Sequence, residues 1–98
     1  MTPEINEIYT FKLLSGEEFV AKVLELNVDH ILIKQPISTV LSPQGLQMVP
    51  GLFSSNQDKN VRLNNSSWAM MAETREDVKS SYIQATTGIA VGKQILTG

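Results

Sequence analysis

The chain has 98 residues, of which ten are acidic, eight basic, one histidine and none cysteine, and its pI is about 5.2. That length points to one domain with one modest core. Without cysteine there are no disulfides or thiolate metal sites, and a lone His30 argues against an all-protein catalytic metal centre, so no cofactor is expected.

The slightly acidic balance gives no strong nonspecific pull toward nucleic acid or anionic lipid, which leaves any such binding to a local basic patch. No run approaches the roughly 18–20 apolar residues of a membrane span. The opening MTPEINEIYT has neither a basic nor an apolar leader segment. No membrane partner is expected, and the expected compartment is the cytoplasm.

Residues 1–7 read as a polar arm. In Ile8 to Leu14, Tyr9, Phe11 and Leu13 alternate with Thr10 and Lys12, the period of a strand. Ser15-Gly16 follows with hairpin chemistry, since glycine takes positive φ without a Cβ clash. Glu17 to Leu26 then resumes alternation, with Phe19, Ala21 and Val23 on one face and Val20, Lys22 and Leu24 on the other. Its Glu, Ala, Lys and Leu content also suits a helix. The preceding hairpin signal and the apolar run that follows favour a strand.

Asn27-Val28-Asp29-His30 is a turn, and Ile31-Leu32-Ile33 a strand core. Pro36, which lacks a ladder donor, marks an edge, bulge or bend, beyond which Ile37 to Leu41 continues the strand. Ser42-Pro43-Gln44-Gly45 is a turn, Leu46 to Phe53 a fourth strand broken at Pro50-Gly51, and Ser54 to Asn60 a polar loop. Val61-Arg62-Leu63 and Ser67 to Ala72 are late strand segments separated by Asn64-Asn65-Ser66. The sequons at Asn64 and Asn65 read only as a polar turn.

The pattern then changes. Thr74 to Asp77 fits a capping box, with the threonine hydroxyl and the aspartate taking free helix N–H groups. Val78, Tyr82 and Ala85 follow at helical spacing, Gly88 is placed to end the helix, and 89–98 is a tail. The expected architecture is one mainly β domain over 1–98: a strongly bent antiparallel sheet or small open barrel of about five strands over 8–72, then a C-terminal helix over 74–88.

Catalytic constellations are weak. Glu17 and Glu18 are adjacent on a strand and point to opposite faces, which suits a solvated rim better than an acid/base pair. Asp29-His30 resembles a dyad but lacks an identifiable nucleophile in a strand-elbow-helix setting. No enzyme is expected. Trp68, Met70 and Met71 could form a base-stacking platform, but core or subunit interface is the better reading for Trp68. The strongest nucleic-acid surface is Lys59-Asn60-Val61-Arg62 followed by Asn64-Asn65, where Lys and Arg suit phosphates and Asn suits base edges or 2′-hydroxyls.

Leu13 through Lys34, LLSGEEFVAKVLELNVDHILIK, resembles the first motif of Sm-like (LSm/Hfq-type) proteins. Gly16 matches the turn glycine. Ala21 stands where that family usually has a glycine whose small size permits a sharp strand bend. Asn27 or Asp29 falls near the usual turn aspartate, and His30 or Ile31 near the base-contacting asparagine. The chain departs from the family in lacking both its Arg-Gly dipeptide and the Lys-His motif of Hfq, and in placing the helix last. Over most of its length it is similar to small Sm-like proteins of marine bacteriophages, through LLSGEEFVAKV, KQP, SPQGLQMVPGLF, VRLNNSSW and the terminal Tyr and TTG.

The resemblance implies a bent five-stranded antiparallel sheet in a homo-oligomeric ring closed by edge-strand pairing. It also implies a non-enzymatic role in binding single-stranded nucleic acid, RNA ahead of DNA, within the cytoplasm of an infected bacterium if the gene is viral. The site expected is Asn27, Asp29 and His30 with Lys59, Asn60 and Arg62. The alternative is an assembly adaptor ring that has lost nucleic-acid contacts.

Overall fold

The structure, a computed structural model, describes residues 2–87 and the backbone of 95 and 96. It is mainly β. The strands are β1 (Ile8–Leu13), β2 (Glu18–Leu26), β3 (His30–Ser42), β4 (Gly45–Pro50), β5 (Asn60–Asn64) and β6 (Trp68–Glu73). Helix α1 (Glu76–Thr86) and a two-residue β7 (Ile95–Leu96) follow. All pairings are antiparallel, in the order β6-β1-β2-β3-β4-β7, with β5 also on β3.

Glycine and alternation set the first hairpin. The Gly16 N–H donates to the Leu13 carbonyl at 3.0 Å, Leu13 N–H donates to Glu17 at 2.8 Å, and Gly16 sits at φ 99°. A turn closed by a left-handed glycine matches the twist of the flanking strands. Residues 18–26 are a strand and not a helix, and Phe19 pairs directly with Phe11. Their rings stack at 5.0 Å.

β3 is the long bent element. Its first half pairs with β5 and its second half with β4. At the join Gln35 has φ 49°, and the β2–β3 register shifts between Val20 and Lys22. Pro36 therefore sits at a bulge, as its missing donor requires. Gly51 packs against this bend. Its N–H donates to the Pro36 carbonyl at 2.8 Å, and a Cβ there would lie 2.9 Å from that oxygen. This close approach ends β4 at Pro50, so Leu52 and Phe53 lie beyond the strand that the sequence extends through them.

The sheet carries apolar groups on both faces. Tyr9, Phe11, Phe19, Ala21, Val23, Ile31 and Ile33 form one cluster. Val61 and Leu63 from β5 and Trp68 and Met71 from β6 all pack on it. Two end strands reaching one core means that the path β6-β1-β2-β3-β5 curls. It does not close: among the described residues β5 and β6 do not pair with each other. The opposite face holds Ile8, Val20 and Met48 under Val78 and Tyr82 of α1.

Tyr82 fixes that helix. Lys22 N–H donates to its hydroxyl at 3.1 Å, and the hydroxyl donates to the Lys34 carbonyl at 2.7 Å. It thus bridges the two strands where the bulge parts them. The helix begins at Glu76, later than the capping box implies, and its N-cap, Arg75, makes no side-chain cap bond. The Thr74 hydroxyl instead meets Thr10 Oγ1 at 3.0 Å and the Ile8 carbonyl at 3.4 Å. Asp77 does serve the helix start, accepting from Val78 N–H at 2.9 Å. The buried stripe is Val78, Ser81 and Tyr82, while Ala85 is exposed. Gly88 and all of the tail except Ile95–Leu96 lie outside the described residues.

Candidate nucleic-acid interface

Two turns meet at one end of the curled sheet. The β2–β3 turn is closed by Asn27 N–H donating to the His30 carbonyl at 2.9 Å. The β5–β6 turn is a single 3-10 turn, Asn65–Ser67. Because His30 pairs with Asn64 across β3 and β5, the two turns are forced side by side.

Asn65 joins them. Its N–H donates to the Asp29 carbonyl at 3.0 Å. Its amide Nδ2 donates to the Asn27 and Val28 carbonyls, each at 3.1 Å, and its Oδ1 accepts from Trp68 Nε1 at 3.3 Å. The Trp68 ring in turn sits edge-on to Phe11 at 5.7 Å. The turn pair is therefore anchored to the core by hydrogen bonds that use both Nδ2 hydrogens and the oxygen of the Asn65 amide.

The side chains of Asn27, Asp29, His30, Arg62 and Asn64 form a second network. Asp29 Oδ1 is 2.7 Å from His30 Nδ1, and Arg62 Nη2 donates to Asp29 Oδ2 at 3.3 Å. A carboxylate only accepts, so His30 carries its proton on Nδ1. With Nδ1 carrying the only ring proton, Nε2 accepts from Asn27 Nδ2, 3.1 Å away. The His30 N–H, with a smaller contribution from the Arg62 charge, holds the Asp29 carboxyl below its ordinary value. Arg62 Nε donates to Asn64 Oδ1 at 3.1 Å. The Asp29-His30 pair thus resembles a dyad in geometry, but its second nitrogen faces an amide and not a hydroxyl.

Four of the six expected site residues, Asn27, Asp29, His30 and Arg62, are brought together here. Lys59 and Asn60 are not. Asn60 opposes Lys34 at the far end of β5, four residues from Asn64 and so about 13 Å along the strand. What remains available at the turns is Asn27 Oδ1 as an acceptor, Asn64 Nδ2 as a donor, the unused guanidinium N–H groups of Arg62 and a fully exposed Val28. This set can address a base edge or a 2′-hydroxyl. The sequence marks Asn65 as a turn amide and a candidate base contact; the structure instead spends its side chain on the Asn27 and Val28 carbonyls and the Trp68 indole.

No protein-family model matches the chain, and no curated protein does either. Among the described residues no group of three or more His, Cys, Asp or Glu is placed to hold a metal, and no helix is long and apolar enough to cross a membrane.

Proposed function

We propose that the chain is a subunit of an Sm-like homo-oligomeric ring that binds single-stranded nucleic acid, RNA ahead of DNA, and catalyses no reaction. The observation that carries this reading is the pairing of the two turns at the end of an unclosed, curled sheet. Two antiparallel edges that are free among the described residues, β5 and β6, flank a polar cluster anchored by Asn65.

A small sheet with open edges gains from covering them. Head-to-tail pairing of β5 with β6 of the next copy closes into a ring when the rotation per subunit divides a full turn. Each copy then presents Asn27, His30, Arg62 and Asn64, with Asp29 orienting His30 and Arg62. Repetition around a ring raises effective concentration, which offsets a weak single site and an acidic pI.

The test is binding to short A- or U-rich RNA over a salt series. Arg62→Ala is expected to weaken binding and to flatten the salt dependence by about 0.7 in log–log slope for the lost phosphate contact. An unchanged affinity and slope would remove Arg62 from the site. A second reading, an adaptor ring without nucleic acid, is favoured by the Asp29–Arg62 ion pair, which already occupies part of the local positive charge. Its mark is a ring-sized particle that binds no oligonucleotide at low salt.

A further inference from the structure

Lys22 and Lys34 are direct cross-strand partners on β2 and β3. The β2 alternation puts Lys22 on the face of Val20, and Lys34 shares that face. Like charges directly opposed in a sheet repel, yet neither ammonium makes an ion pair or side-chain hydrogen bond among the described residues. Nearby carboxylates are engaged with other cations, Glu18 with Lys12 at 4.0 Å and Glu7 with Lys79 at 3.7 Å. The row continues outward: Lys34 opposes Asn60, and exposed Lys59 precedes it, also without an ion pair.

The same exposed face of β5 then carries Arg62 and Asn64 up to the turn cluster. Alternate residues of a strand are spaced by about 6.6 Å, close to the repeat of an extended nucleic-acid backbone. The Tyr82 hydroxyl holds the backbones of Lys22 and Lys34 in this juxtaposition, so the cross-strand pairing of the two lysines is built into the fold.

We propose that Lys22 and Lys34, extended by Lys59 and Asn60, form a phosphate-binding row. A single strand bound at the turn cluster runs along the exposed face of β5 and places its backbone phosphates there. This rests on the nucleic-acid reading above and adds to it the path and polarity of charge along the subunit.

The experiment uses the full chain and two probes: oligo(U) or oligo(A) of about six nucleotides, and inorganic tripolyphosphate followed by backbone amide shifts. Lys22→Gln with Lys34→Gln should lower the salt slope of oligonucleotide binding by about 1.4, at about 0.7 per contact. Lys34→Glu creates an opposite-charge pair, so it should keep or raise the urea midpoint while losing affinity. Lys12→Gln, which removes a cation already paired with Glu18, should change neither. Oligonucleotide binding with an unaltered slope in the double variant overturns the row and leaves the nucleic-acid reading standing. Tripolyphosphate binding at Lys22 and Lys34 without any oligonucleotide binding supports the row as a phosphate site and removes the nucleic-acid path. Binding of neither probe overturns both.

Discussion

At the scale of single residues, Tyr82 shows how one polar atom decides a tertiary arrangement. Its side chain is 2% exposed, and its hydroxyl satisfies two backbone groups that the β2–β3 bulge would leave unpaired. Tyr82→Phe should therefore cost about 1–3 kcal/mol, the range for stranding buried polar groups. The check is a lower urea midpoint at constant m. Burial pushes the Tyr82 hydroxyl up to about 12. An acid whose folded pKa is raised gives stability that is complete below its unfolded value, about 10, and is lost as pH rises through the folded value. Unfolding free energy should thus fall between about pH 10 and 12 in the natural chain, and by less in the phenylalanine variant. The helical spacing in the sequence marks Tyr82 as a core residue. Its hydroxyl partners were illegible there, because they depend on a register shift between two other strands.

At the scale of elements, the β3 bend and the strand that leaves it form one unit. Gln35 takes a left-handed φ of 49°, and Gly51 lies too close to the Pro36 carbonyl for a side chain. Gly51→Ala should destabilise by about 1–3 kcal/mol through overpacking. Gln35→Ile should cost about 1–3 kcal/mol, since a β-branched residue resists positive φ, whereas Gln35→Gly should not. Thermal or urea unfolding of the three variants checks this, and equal stability of Gln35→Ile and Gln35→Gly would remove the backbone argument. Pro36 announced a break in the sequence, because a residue without an N–H cannot sit in a ladder interior. The break's consequence, two different strands on the two halves of β3, required knowing where Asn60–Asn64 lands. The capping box kept its aspartate but lost its threonine for a related reason. Thr74 has a competing partner in β1, 64 residues away in sequence, which a local pattern cannot contain.

At the scale of the whole molecule, the path β6-β1-β2-β3-β5 ends in two strands left unpaired on their outer edges among the described residues, and Met70 on β6 is 61% exposed. In the proposed ring this edge is where the next copy pairs. Met70→Lys should then shift the solution mass, read by light scattering or native mass spectrometry, from a ring toward the monomer, as a charge on an edge strand opposes further pairing. A monomeric natural chain would end the ring reading.

The sequence by itself determined the elements that depend on neighbours in the chain: the period-two faces of β1 and β2, the Gly16 hairpin, the turn at Asn27–His30 and the helix after the strands. These follow from side-chain alternation and from backbone conformations that only certain residues tolerate. Four of the residues that meet at the paired turns were also legible there, Asn27, Asp29 and His30 through the family resemblance and Arg62 through the basic and amide run that contains it. Only the tertiary structure decided that Asn65 clamps those turns, that Lys59 and Asn60 lie at the other end of β5, and that Lys22 faces Lys34. Each of these depends on which strands pair and in what register. That choice is made by burying both apolar faces of a short chain at once, with a bulge absorbing the mismatch.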